Sequence, residues 1–238
     1  MNEKLLIPVS IMVAGFAIGA AVWFKPSAQP QPVAANIPAQ EENLAAPLKT
    51  VDAVSDHIVG NPNADIFVVE YSDLECPFCK RYHDTALPRL KSEYGDNERV
   101  AFVFRHFPLD EPFTGPLHPS ATEQHVAAEC VARLSNDETF FEFTDRIFAS
   151  TNSDGQYPLD TLPDLAEEVG VDRTDFQTCY ENQDTFDVVA AAFAEGQAAG
   201  VQGTPSIFLQ TKDGESIQAV PDYNAIKSGI DAYLLDEA

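Results

Sequence analysis

Ile66-Phe67-Val68-Val69-Glu70-Tyr71-Ser72-Asp73-Leu74-Glu75-Cys76-Pro77-Phe78-Cys79 is the stretch that decides the fold. Its opening run, Ile66 to Tyr71, is short, β-branched and aromatic, and reads as a buried strand. Beyond it, Tyr82, Ala86, Leu87, Leu90 and Tyr94 recur at roughly helical spacing, so Lys80 to about Tyr94 reads as a helix. Two cysteines separated by two residues therefore stand at a strand-to-helix junction.

That position has chemical consequences. Unpaired backbone N–H groups and the macrodipole stabilise an anion at a helix N-terminus. A thiolate at Cys76 is favoured there. Pro77 suits the first turn, where a missing N–H costs nothing. Cys79 falls one turn on, within reach for a reducible disulfide. Cys76 reads as the nucleophile and Cys79 as the resolving thiol. The alternatives are a zinc half-site or two inert thiols. A zinc site needs further Cys or His ligands, and no second pair of this spacing exists.

Upstream, residues 1–4 form a short polar start, and Leu5 to Phe24 is free of charge and long enough to cross a bilayer. Trp23, Phe24 and Lys25 resemble an interfacial end. An uncleaved anchor is the expectation, with a cleaved signal peptide as the competing reading. Residues 25–50, rich in Pro with Ala, Gln and Asn, read as an extended linker. The domain proper is expected over 51–238, with an edge strand or short helix within Val51 to Gly60.

Downstream, Arg99 to Phe107 reads as a second buried strand and the Pro-rich segment to Pro119 as a loop. Ser120, with Glu123 placed for a capping box, opens a series of helical patterns that runs to Ala199. This is too much helix for one crossover, so residues of about 112–199 are expected to form an inserted helical subdomain. Gly200-Val201-Gln202-Gly203-Thr204-Pro205-Ser206 precedes a strand at Ile207-Phe208-Leu209, which pairs through a turn at Gly214 with Ser216 to Val220. Beside the cysteine pair, Pro205 reads as a cis proline. Asp222 caps a last helix that runs to about Leu235.

The chain of 238 residues carries 38 acidic against 14 basic residues, a net charge of -24. Such a surface repels phosphate backbones and argues against a nucleic-acid partner. His83, His106, His118 and His125 show no metal-ligand spacing, and His118 and His125 read as surface or packing residues.

Val69 to Cys79, then Phe102-Val103-Phe104-Arg105-His106-Phe107-Pro108-Leu109, then Gly200 to Ser206, together resemble the DsbA-like thiol:disulfide oxidoreductases. The resemblance is to the membrane-anchored bacterial group and covers about Val51 to Leu235. It implies an α/β thioredoxin-like fold with an inserted helical subdomain behind an N-terminal transmembrane helix. It makes Cys76 the attacking thiol and Cys79 the resolving thiol. Thr204-Pro205 becomes the loop that binds substrate backbone, with Pro77 and Phe78 beside it. Glu70 matches the family's buried acid. A carboxylate in an apolar strand has a raised pKa and could relay the Cys79 proton. The family's strong oxidants carry Pro-His between the cysteines. Phe78 stands in that place and offers neither proton nor charge. Glu75 is expected to oppose the thiolate, and Lys80 and Arg81 to offset it in part. Cys130 and Cys179, in two different helical segments, are expected to form a structural disulfide, as in some family members.

The resulting expectation is a membrane-tethered enzyme, its catalytic domain extracytoplasmic, that passes disulfides to reduced exported proteins. A quinone-linked membrane oxidase of the DsbB or vitamin K epoxide reductase type would restore it. No organic cofactor and no metal is expected. A reductase or isomerase is the alternative enzyme, and a redox-inert chaperone or binding module the alternative of another class.

Overall fold

A computed structural model describes residues 47–236. The start at 1–4, the anchor at 5–24 and the linker as far as residue 46 lie outside the described residues. Among the described residues no helix is long and apolar enough to cross a membrane.

Five strands form one mixed sheet: β1 (His57–Gly60), β2 (Ile66–Ser72), β3 (Val100–His106), β4 (Ser206–Thr211) and β5 (Ser216–Ala219), in the order β1-β3-β2-β4-β5. β2 and β3 are parallel, with Glu70 opposite Phe104, and the other neighbours are antiparallel. Every residue of β2 and β3 is buried. That is why these two strands read as unbroken apolar runs rather than alternating ones.

Strand alternation assigns their faces. Ile66, Val68, Val100 and Phe102 pack with α1 (Pro77–Tyr94) and α7 (Tyr223–Asp236) on one face. Phe67, Val69, Tyr71, Ala101 and Val103 pack on the other, where α6 (Phe186–Ala198) contributes Phe193. A Cβ at Gly196 of α6 would lie 2.8 Å from the Phe107 ring and 2.9 Å from that of Tyr71, so only glycine allows this approach. On this second face Arg105 is buried against Asp56, with N–O distances of 2.7 and 3.0 Å, and donates to the Tyr71 hydroxyl.

Between β3 and β4 the chain builds α2 (Ala121–Leu134), α3 (Asp137–Ser150), α4 (Leu162–Glu168), α5 (Arg173–Glu181) and then α6. A second core of Phe140, Phe143, Ile147, Phe148, Leu162 and Phe176 fills this layer, continuous with Leu74, Cys76 and Cys79. Cys130 of α2 and Cys179 of α5 are joined there by a disulfide.

The start of α2 differs from the capping-box expectation. The Ser120 side chain makes no capping bond. Its backbone N–H instead donates to Glu75 (2.8 Å), and Asp110 accepts from the Thr122 N–H (2.8 Å). Two carboxylates from other segments thus cap this helix, and both are favoured there by its dipole. Asp222 does cap α7, accepting from the N–H groups of Asn224 and Ala225.

Candidate active site

The carboxyl end of β2 delivers the chain into α1 with Cys76 as its N-cap and Pro77 at the first turn. Cys76 and Cys79 are both free thiols and both buried, whereas Phe78 between them is 55% exposed. The loop before β4 brings Thr204-Pro205, a cis peptide, to the same place. When protonated, the Cys76 thiol donates to the Thr204 carbonyl across 3.4 Å.

The two sulfurs are strongly unequal. The Cys79 thiol hydrogen-bonds the Cys76 sulfur and outweighs the cost of burial. The Thr204 side chain and the backbone N–H groups of Cys79 and Phe78 act in the same direction, and the Cys76 pKa is pushed down to about 6. Burial pushes Cys79 well above the ordinary thiol range, with Cys76 and the Glu70 charge adding to the shift. At neutral pH the pair therefore holds one thiolate, at Cys76, and one proton, at Cys79.

The residues expected to tune this balance act differently from the sequence expectation. Glu75 is fully buried, burial raises its pKa, and it accepts the Ser120 N–H. Lys80 reaches the Phe148 carbonyl and pairs with Asp84, and Arg81 lies over the Phe78 ring. None of these cations is directed at Cys76. His118, read as a surface or packing residue, instead pairs with buried Asp73 at 2.9 Å. Burial opposes its charge, but Asp73 outweighs it, and the nearby Cys76 adds to the upward shift.

Glu70 sits on the α1 face of β2, as strand alternation with Ile66 and Val68 requires. Its surroundings are not purely apolar. Ser72 Oγ donates to it (2.7 Å), and His83 Nε2 donates at 3.0 Å. The other His83 nitrogen donates to Asp145 (3.2 Å). Burial works against charge on His83, yet Glu70 and Asp145 outweigh it and raise its pKa to about 9. Sequence reasoning missed His83. The available signal was its place one turn after Cys79 on the same face of α1.

A second network lies beyond. Leu74 N–H donates to His125 Nε2 (3.3 Å), so the His125 proton is on Nδ1. His125 then donates to His106 Nδ1 (2.5 Å), and His106 donates through Nε2 to Glu129 (2.7 Å). His57 bridges Glu129 (2.9 Å) and Asp137 (2.8 Å). Of the two readings for His125, surface or packing, burial leaves packing, and both of its nitrogens are hydrogen-bonded. Spacing along the chain showed no such cluster, because its members come from β1, β3, α2 and α3.

The family Thioredoxin matches residues 52–232. "Probable disulfide bond formation protein D" of Bacillus cereus is 29% identical over 180 residues, 74% of this chain and 77% of that protein. "Na(+)/H(+) antiporter NhaA 1" of Mycolicibacterium gilvum is 33% identical over 141 residues, 57% of this chain but 19% of that protein. BdbD from Bacillus subtilis, in its oxidised crystal structure, superposes with a TM-score of 0.65 at 20% identity, covering 77% of this chain and 95% of that one. That likeness concerns the fold. The chain spans less than two thirds of the length of several curated relatives it matches, 19%, 53% and 63% in three of them.

Proposed function

The chain belongs to the thioredoxin family, and on that footing we propose that it is a DsbA-like thiol:disulfide oxidoreductase working as a disulfide-forming oxidase on exported proteins. The observation that carries this reading is the inequality of Cys76 and Cys79. In the disulfide form, a substrate thiolate attacks the Cys76 sulfur and Cys79 leaves. Cys79 has the high pKa and takes up a proton. Glu70, held by Ser72 and His83, is the carboxyl group close enough for Cys79 to feel its charge. The substrate's second thiol then attacks the mixed disulfide. Cys76 departs as a thiolate, a good leaving group at a pKa of about 6. The substrate gains one disulfide, and the enzyme keeps the two electrons as a dithiol. A quinone-linked membrane oxidase of the DsbB or vitamin K epoxide reductase type is the proposed acceptor of those electrons.

Stabilising the reduced form makes the disulfide more oxidising, which favours the oxidase direction over the reductase. Thr204 and Pro205, with exposed Phe78 and Pro77, would receive an extended substrate segment beside Cys76. A catalytic domain held outside the cytoplasmic membrane by residues 5–24 fits the Cys130–Cys179 disulfide, since such bonds persist in oxidising compartments. The deciding experiment is equilibration of Cys76–Cys79 with glutathione buffers. A potential above about −200 mV is expected, and one near the thioredoxin value of about −270 mV would make the protein a reductase instead.

A further inference from the structure

His57, His106 and Glu129, none of which takes part in the thiol exchange, bring three metal-ligating atoms within 4.8 Å of one another. Both imidazoles address the same oxygen, Glu129 Oε1, and both do so through Nε2 (2.9 Å from His57, 2.7 Å from His106). Each far nitrogen is already held: His57 Nδ1 by Asp137 at 2.8 Å and His106 Nδ1 by His125 at 2.5 Å. The His57 ring is further clamped by stacking on Phe140 at 3.8 Å. Two rings are thus fixed from behind, with both Nε2 atoms directed at one carboxylate oxygen.

Other features agree. A carboxylate behind a ligating histidine is the usual partner that orients the ring and raises its basicity, and Asp137 stands there. His106 and Glu129 are buried, so the donors are shielded from bulk water. A cavity of about 510 Å³, lined by all three residues and by Asp56 and Arg105, opens against the cluster and leaves room for a water ligand. Two histidines and one carboxylate with an open fourth position is a donor set zinc uses. Calcium and magnesium prefer oxygen alone. The His83–Glu70 pair lacks this character, because there a single ring bridges two carboxylates.

We propose that His57, His106 and Glu129 form a binding site for a divalent transition-metal ion of the zinc class, with its fourth position facing the cavity. Ligand bonds of about 2.0–2.1 Å require the Glu129 oxygen to draw back by about half an ångström. The ion displaces the Nε2 protons of His57 and His106. The His57 proton goes to solvent, and His57 keeps its Nδ1 proton on Asp137. The His106 Nε2 proton leaves to solvent while His125 passes its Nδ1 proton to His106 Nδ1 and takes one from solvent at Nε2, which sets an N–H of His125 against the Leu74 N–H and breaks their 3.3 Å bond. The ion would tie the edge strand β1 and β3 to α2.

The test uses the full chain with Cys76 and Cys79 oxidised to their disulfide, so that no thiolate competes, and Zn²⁺ titrated against a chromophoric chelator. Binding of one equivalent is expected, weakened at least tenfold in His57→Gln and in Glu129→Gln. Asp137→Asn should weaken it by about 10- to 100-fold, as loss of such an outer partner does. His57 lies on the edge strand and is half-buried, so His57→Gln is the variant that should keep its fold, checked by far-UV circular dichroism. Co²⁺ bound in place of Zn²⁺ should give a four-coordinate absorption spectrum that His57→Gln loses. Absence of stoichiometric binding overturns the proposal. Zn²⁺ bound equally by the wild type and by folded His57→Gln overturns it too, since the ion would then sit on the acidic surface. The measurement is independent of disulfide exchange and of the direction assigned to it.

Discussion

Cys76 and Cys79 stand one turn apart at a helix start, whereas Cys130 and Cys179 stand 49 residues apart on two helices of the inserted layer. All four are buried. Burial alone therefore does not separate a reactive pair from a structural one. What separates them is the N-terminal backbone of α1, the mutual hydrogen bond of unequal thiols, and the Glu70 charge below. The second pair has Thr185 and apolar neighbours, and closes a long loop through two packed helices.

The sharpest way to break this contrast is Cys76→Ser. Exchange with a reduced peptide should fall to the uncatalysed rate, and retention of wild-type turnover would remove the nucleophile assignment. Replacing both Cys130 and Cys179 by Ala should do the opposite. In the chain-entropy model a loop of this length is worth about 4 kcal/mol, so urea unfolding should show a loss of that order while the exchange rate of the folded protein stays unchanged. A large loss of exchange in the folded double variant would mean the two pairs are coupled.

Glu70→Gln sharpens the proton side. Positioned acid–base groups are worth about 10²-fold or more, so exchange at Cys76–Cys79 should slow by about 10². Stopped-flow resolution of a mixed disulfide measures this. The same change leaves the His83 imidazolium beside a neutral amide, so stability should also fall.

The Cys76 pKa gives a smaller, graded effect. Iodoacetamide labelling of the reduced protein should be half-maximal near pH 6 and fall about tenfold per pH unit below it. The sign for stability follows. A pKa lowered in the folded state stabilises the reduced protein fully above the unfolded thiol pKa of about 8.5, and that contribution is lost as pH falls through 6. Labelling that is half-maximal near pH 8.5 would remove the inequality on which the proposed direction rests. The least effect is expected from Phe78→Ala. Its ring is mostly exposed, so stability should change by no more than about 0.5 kcal/mol, and protein substrates should be turned over only a few-fold more slowly.

Much of this was legible in the chain itself, for local reasons. The run Ile66 to Tyr71, the helical period after Cys79, and Pro77 at a first turn each report a property of neighbouring residues. Together they place a thiolate at Cys76 without reference to any distant part of the molecule. Asp222 capping α7 is legible in the same way, because donor and acceptor lie within three residues. The Ser120–Glu123 pattern was equally local but misleading, since Glu75 and Asp110 reached the α2 N-terminus from elsewhere and took the available N–H groups.

Only the tertiary structure decided what stands beneath and beside the cysteines. Glu70 meets His83 because β2 runs under α1, and His118 meets Asp73 because the Pro-rich loop folds back over the β2 end. His57, His106, His125 and Glu129 come together from an edge strand, a central strand and a helix, and no period in the chain marks them. A contact between elements depends on sheet order, strand register and the angle at which a helix lies, and these are set by the packing of the whole core. The redox pair is a property of one turn of backbone, whereas the carboxylate–imidazole clusters are a property of the packed fold.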